Sequence, residues 1–235
     1  MNCFRDQHIK ENNSNIFNIM KLSYAITVCN ESKDLFSLVS FLLKVKDNED
    51  EINILIDTKH VTENVKNVIK HFGNKVVTCE RDFDGNFSEH RNFHLSKCSG
   101  DYIFIIDPDE MPKEKLIKGI KSAVKDSGAD LIMIPRINIH PGFTQKWLEK
   151  STFTVNELDW INWPDYICRV FPNTPEIKYG NELHEVIVGY KKRICLQADP
   201  SIAIWHIKSI EKQSNRWDGE IFKSPEDDNL YDTLM

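Results

Sequence analysis

The stretch "YIFIIDPDEMP", Tyr102 to Pro112, limits most sharply what this chain can fold into. Five largely apolar residues run straight into Asp107, Pro108, Asp109 and Glu110. A strand that is apolar at every position is buried on both faces, as in the parallel sheet of an α/β domain. Such sheets place ligand sites just beyond the carboxyl ends of their strands. Asp107 and Asp109 therefore belong at that rim. Alternation along an extended chain points them the same way, with Pro108 restricting the backbone between them. Carboxylates so placed repel unless a positive charge lies between them. Oxygen ligands completed by a phosphate-bearing substrate suit Mg²⁺ or Mn²⁺.

A chain of 235 residues builds one sizeable core, so a single domain is expected. Its net charge of −6 argues against a nucleic-acid partner held by phosphate neutralisation. Cys3, Cys29, Cys79, Cys98, Cys168 and Cys195 lie far apart with no Cys-x-x-Cys pair, which predicts reduced, mostly buried thiols. No apolar stretch reaches the ~20 residues that span a bilayer. The start, "MNCFRDQHIKENNSNIF", is too polar for a secretory signal. The expectation is a cytoplasmic protein with no transmembrane segment.

Residues 1–21 read as a polar arm, 22–208 as the folded domain and 209–235 as a polar tail with a helix around Ile210 to Phe222. Within the domain, "LSYAITV", "INILID", "KVVTC", "YIFII" and "DLIMIPR" predict strands. Helices are predicted from Lys33 to about Lys46, through "VTENVKNVIKHFG" to a stop at Gly73, through "FSEHRNFHLSKCSG", and through "PKEKLIKGIKSAVKDSG" with Pro112 near the first turn. This alternation predicts a parallel, nucleotide-binding sheet. After Arg136 the segment to Tyr166 has no clean period and reads as a long functional loop. Strand-like pieces return at "ICRVF", "HEVIVGY" and "SIAIWHI".

Taken in order, "AITVCNES", "INILID", "SEHRNFHLSKCSGDYIFIIDPDE", "CRVF", "ELHEVIVG" and "IWHIK" resemble the family-two glycosyltransferases, over nearly all of Leu22 to Lys208. The resemblance implies an α/β, Rossmann-like GT-A domain with a mostly parallel central sheet flanked by helices. It implies a nucleoside diphosphate sugar, a UDP-sugar by preference, as donor and a carbohydrate as acceptor, in glycan or polysaccharide assembly. Thr27 and the loop through Glu31 would line the base pocket, and Asp57 would contact uracil or ribose. Arg91 would face the diphosphate. Asp107 would touch ribose or the metal's water shell, and Asp109 would bind the metal that bridges the phosphates. A cation and an arginine there would stabilise the charge developing on the leaving nucleoside diphosphate. Bland readings compete: Arg91 pairing with Glu89, and Asp57 capping the helix that follows Val61.

In related enzymes a late histidine closes the metal shell or meets the diphosphate, which makes His206 the second metal candidate. An imidazole suits Mn²⁺ better than Mg²⁺. Lys208 reads as solvated, and His90, His94 and His140 as structural. Inverting transfer needs a base for the acceptor hydroxyl. Glu185 is the candidate, Asp165 the reserve and Glu182 a weaker third. Trp147, Trp160, Trp163 and Trp205 offer flat faces for a sugar acceptor. Two rivals remain. A haloacid-dehalogenase-like phosphatase also carries Asp-x-Asp after an apolar strand, although its motif opens the domain and continues to Thr or Val where this chain has Met111. A catalytically degenerate transferase would serve as a carbohydrate-binding module.

Overall fold

The computed structural model describes residues 20–217 apart from Leu183. Residues 1–19 of the polar arm and the end of the predicted tail helix lie outside these residues, while Lys21 of the arm is tied to Asp101 and Glu51. Strand and helix alternate through β1 (Leu22–Val28), α1 (Ser32–Val45), β2 (Glu51–Asp57), α2 (Glu63–Phe72), β3 (Val77–Arg81), α3 (Phe87–Leu95) and β4 (Tyr102–Ile105). Helical spacing of Leu35, Leu38, Val39 and Leu42 buries one stripe of α1. Thr62 Oγ1 accepts from the Val65 N–H to open α2, and Gly73 at φ 54° closes it. Asn86 opens α3 in the same way, accepting from the Glu89 N–H.

The chain continues through β5 (Glu110–Pro112), α4 (Glu114–Ser127), β6 (Leu131–Ile139), α5 (Gln145–Ser151) and β7 (Ile161–Pro172). It ends in the short strands β8 (Lys178–Gly180), β9 (Val186–Val188), β10 (Arg193–Cys195) and β11 (Ile204–Ile207), then α6 (Ile210–Trp217). The main sheet runs β3-β2-β1-β4-β7-β6-β11-β5, with β10 also on β6, while β8 and β9 form a separate ribbon. β1 pairs in parallel with β2 and β4. β7 enters antiparallel between β4 and β6. β11 lies parallel to β6 and antiparallel to β5.

Both faces of the sheet are covered, as the all-apolar strand demanded. Tyr24, Ile26, Phe104 and Ile106 pack with α1, α2 and α4 on one side. Ala25, Ile103 and Ile105 pack with Leu95 of α3 and with Tyr179 and Ile187 of the ribbon on the other. β4 comes alongside β1 at Gly100, whose N–H donates to Ser23 Oγ at 2.7 Å. A Cβ at Gly100 would lie 2.6 Å from the Ser23 backbone nitrogen, so only glycine fits there.

Several expectations need correction. Pro112 ends β5 rather than sitting in the first turn of α4, because Met111 and Pro112 pair with β11. The supposed loop from Arg136 to Tyr166 contains the end of β6, all of α5 and the first half of β7. Its period is hidden because α5 has only seven residues and because β7 starts irregularly, with Asn162 at φ 54° and a register shift against β6 at Arg136 to Asn138. The five described cysteines are free, but only Cys98 is fully buried and Cys195 is exposed. Among the described residues no helix is long and apolar enough to cross a membrane.

Candidate active site

The carboxyl ends of β1, β2 and β4 open at one rim. There Asp107, Pro108, Asp109 and Glu110 form a turn closed by the Glu110 N–H on the Asp107 carbonyl at 3.0 Å, with proline at the second position that such turns favour. The turn replaces the expected extended alternation and gives the two aspartates separate partners. Asp107 receives Arg91 Nη2 at 3.3 Å and Arg169 Nη2 at 2.9 Å. Asp109 Oδ2 faces Lys208 Nζ at 3.3 Å, Lys212 Nζ at 3.4 Å and His206 Nε2 at 3.6 Å. Burial opposes charge on both carboxylates. Arg169 and Arg91 outweigh it at Asp107, and Lys208 and Lys212 outweigh it at Asp109, so both groups stay well below the usual carboxylate range. Lys208 is thus a buried partner of Asp109, not the solvated lysine expected.

Sequence reasoning passed over the network beneath this turn. Glu110 is fully buried, and its Oε1 accepts from Arg136 Nη1 at 3.1 Å and from Arg169 Nη2 at 2.5 Å. Its Oε2 accepts from the Asp107 N–H at 3.1 Å and so fixes the turn itself. Arg169 stands inside the apolar run "ICRVF", and a charge in a two-sided strand is the signal that would have found it. Arg136 also grips Asp165 Oδ2, with Nη2 at 2.6 Å and Nε at 3.0 Å, while Asn138 Nδ2 donates to the same oxygen at 2.9 Å. Burial raises the Asp165 pKa, but Arg136 and Asn138 overcome it and leave the group more acidic than usual. A carboxylate so committed is a weak base.

His206 occupies the buried end of β11. Because the Asn138 amide donates through Nδ2, its Oδ1 must accept the 2.8 Å bond from His206 Nδ1, which assigns the proton to Nδ1. Burial and the nearby Lys208 drive the His206 pKa down to about 3, so the ring is neutral. Its Nε2 lone pair then faces a carboxylate oxygen of Asp109. An imidazole nitrogen and a carboxylate oxygen so placed are a donor pair that could hold a divalent cation. No cluster of three or more His, Cys, Asp or Glu side chains that could hold a metal ion occurs among the described residues.

Arg91 on α3 does not pair with Glu89, which goes to Arg81 instead. Its Nε donates to Glu185 Oε1 at 2.9 Å, so one guanidinium joins the base candidate to Asp107. Glu182 is exposed and meets α3 only through its carbonyl, which accepts from the Phe87 N–H. Asp57 caps its own loop: Oδ1 accepts from the Lys59 and Phe83 N–H groups, and Oδ2 bonds His60 Nδ1 at 2.5 Å. Glu31 Oε2 likewise accepts from the Cys29 and Asn30 amides. Thr27 Oγ1 bonds His94 Nδ1 at 3.3 Å, and His94 Nε2 meets Asn53. His94 lines neither cavity described below, whereas His90 and His140, expected to be structural, each line one, His140 also holding the Lys208 carbonyl at 2.9 Å.

Thr27, Glu31, Asp57, Arg91, Asp107 and Asp109 all line one cavity of about 210 Å³. A second cavity of about 690 Å³ is lined by Asp165, Glu185, Tyr166, Tyr179 and Tyr190, among others. Arg91, Asp107, Arg136 and His206 belong to both and form the wall where the two meet. The tryptophans are not on this wall. Trp147 packs with Leu148 and Ile161, and Trp160 stacks with Trp163 and Trp205 beyond the cleft, where Lys113 covers Trp205. Tyrosines, not tryptophans, face the second cavity.

A sequence profile of the family described as Glycosyl transferase family 2 matches residues 23–179. The chain belongs to that family. Membership removes the phosphatase alternative. Glycosyltransferase GlyG of Streptococcus pneumoniae serotype 4 (strain ATCC BAA-334 / TIGR4) is 28% identical over 115 residues, 48% of this chain and 38% of that protein. Among solved structures, S. aureus TarS 1-349 in complex with UDP-GlcNAc aligns with a TM-score of 0.58 at 16% identity, covering 80% of this chain and 59% of that one. The same TarS fragment with UDP gives 0.56 at 16% identity, covering 83% and 62%. The chain thus has the GT-A fold and spans less than two thirds of each of these relatives. The family match takes in Arg91, Asp107, Asp109 and Asp165 and stops short of Glu185 and His206, whose place in the site comes from geometry.

Proposed function

We propose that this chain transfers a sugar, with inversion and in a metal-dependent step, from a nucleoside diphosphate sugar to a carbohydrate acceptor in glycan or polysaccharide assembly. The observation that carries the reading is the shared wall: an aspartate and histidine fit for a cation open on the smaller cavity, and Glu185 opens on the larger one, with Arg91 touching both sides. The smaller cavity takes the donor. Thr27 and Glu31 flank the base, Asp57 meets uracil or ribose, and Asp107 meets ribose or metal-bound water. The UDP and UDP-GlcNAc complexes of TarS favour a uridine donor here.

The larger cavity takes the acceptor. Arg91 holds Glu185 Oε1, and Oε2 has no protein partner among the described residues, so it is free to take the acceptor hydroxyl's proton. The hydroxyl oxygen attacks the anomeric carbon as its bond to the phosphate oxygen breaks, and the nucleoside diphosphate leaves with the electron pair. Arg91 meets the charge that develops. Asp109 and His206 would hold a divalent cation, Mn²⁺ in preference to Mg²⁺ because of the imidazole, and when bound it supplies Lewis-acid stabilisation of the leaving diphosphate. The free thiols of the five described cysteines support a reducing, cytoplasmic setting.

A thermal-shift screen of nucleoside diphosphates and their sugars, with Mn²⁺ or with chelator, tests the reading, because a ligand of the native state raises its apparent stability. UDP and UDP-sugars are expected to stabilise the protein in Mn²⁺, with slow metal-dependent hydrolysis of the sugar donor. No stabilisation by any nucleoside diphosphate would overturn it. Binding without any turnover would favour the carbohydrate-binding module.

A further inference from the structure

The C-terminal helix α6 bridges the two cavities. Ile210 packs against Trp147, Leu148 and Ile161, while Lys212 lines the smaller cavity and Gln213 the larger. Lys212 Nζ lies 3.4 Å from Asp109 Oδ2 and 3.9 Å from Asp34 Oδ2. Lys208 Nζ, at 3.3 Å, addresses the same oxygen of Asp109.

That crowding has a chemical consequence. A divalent cation on Asp109 Oδ2 would stand beside two ammonium groups at hydrogen-bonding range, and one of them must withdraw. Lys208 is the less free: its N–H donates to the Ile139 carbonyl, its carbonyl is held by His140, and its side chain is 6% exposed. Lys212 is 25% exposed, on a long flexible stem at the start of a surface helix. The anion that a cation held there would serve is the donor's diphosphate.

We propose that Lys212 is a diphosphate ligand held in reserve on Asp109, and that cation binding to Asp109 passes its ammonium to the donor's phosphates. The proposal rests on the donor reading above.

The test is calorimetric titration of Mn²⁺ alone, and of UDP in Mn²⁺ or in EDTA, into the full chain carrying Lys212→Ala or Lys212→Arg. Removing the competitor should let Lys212→Ala bind Mn²⁺ alone several-fold more tightly than wild type. The same variant should bind UDP about tenfold more weakly in Mn²⁺, as expected for one lost charge-assisted contact, and within twofold of wild type in EDTA. Lys212→Arg should restore most of the UDP affinity. A purely structural lysine would weaken metal and nucleotide together or neither, and either result overturns the proposal. Wild-type protein that binds no nucleoside diphosphate would instead overturn the donor reading on which it stands.

Discussion

Arg91 and Glu185, 94 residues apart in the chain, meet through a 2.9 Å bond from Nε to Oε1 that fastens the loop before β9 onto α3. The next residue reinforces the junction: Asn92 donates to the Tyr179 carbonyl at 2.9 Å and accepts from the Tyr179 N–H at 2.8 Å. The Arg-Asn pair of α3 therefore positions the ribbon that carries the proposed base.

Glu185→Gln keeps an oxygen for Arg91 but cannot take a proton. Sugar transfer is expected to slow at least ~100-fold, with UDP affinity near wild type, because the loss falls in the chemical step. Steady-state kinetics with UDP titration checks this. Joint loss of thermal stability and UDP affinity would make Glu185 a brace. Near-normal transfer would pass the role to Asp165, whose Asn variant is the next to assay.

Asp109→Asn should abolish the metal dependence of donor binding. It should also lower stability by about 3 kcal/mol, since it strands the buried Lys208 beside an uncharged amide. The bare expectation of a repelling carboxylate pair predicts no loss of stability, so a denaturant titration distinguishes a strained pair from the neutralised one found here.

Glu110→Gln removes the one charge shared by Arg136 and Arg169. Breaking such a buried arrangement costs about 3–5 kcal/mol. The Asp107 turn should loosen as well, so UDP affinity and melting temperature are expected to fall together. Unchanged values of both would mean that Asp107 and Asp165 alone suffice to hold the arginines.

His94 gives the fold a pH dependence. Burial first, then the nearby charge of Arg91, depresses its folded pKa to about 3, below the ordinary histidine value. Between ~6.5 and about 3 the unfolded chain binds a proton that the folded chain refuses, so stability rises with pH across that window and falls as the solution is acidified through it. His94→Gln should flatten the slope of unfolding free energy against pH by up to about 1.4 kcal/mol per unit. Equal slopes would mean that His94 protonates freely in the folded protein.

The sheet and most of the rim were legible because their signals are local. The all-apolar run at Tyr102–Ile106 could only be a strand covered on both faces, and Leu35, Leu38, Val39 and Leu42 could only be a helix stripe. What escaped was long-range. Glu110, Arg136 and Arg169 come from three different strands, and nothing in their own neighbourhoods says that they meet. Lys208 reads as a solvated end to an apolar run until β11 is seen to lead it onto Asp109. α5 and the first half of β7 vanished for a different reason: a helix of seven residues is too short to show a period, and the positive φ of Asn162 and the register shift at Arg136 to Asn138 interrupt the alternation of β7.

β11, the last strand of the sheet along the chain, is seated between β6 and β5, with partners on both sides. A nascent polypeptide therefore carries an open slot in its sheet until Ile204–Ile207 have left the ribosome, and His206 reaches the rim only then. A premature stop before that point would leave two bare strand edges facing each other, a template for association with other chains and not merely a slower protein.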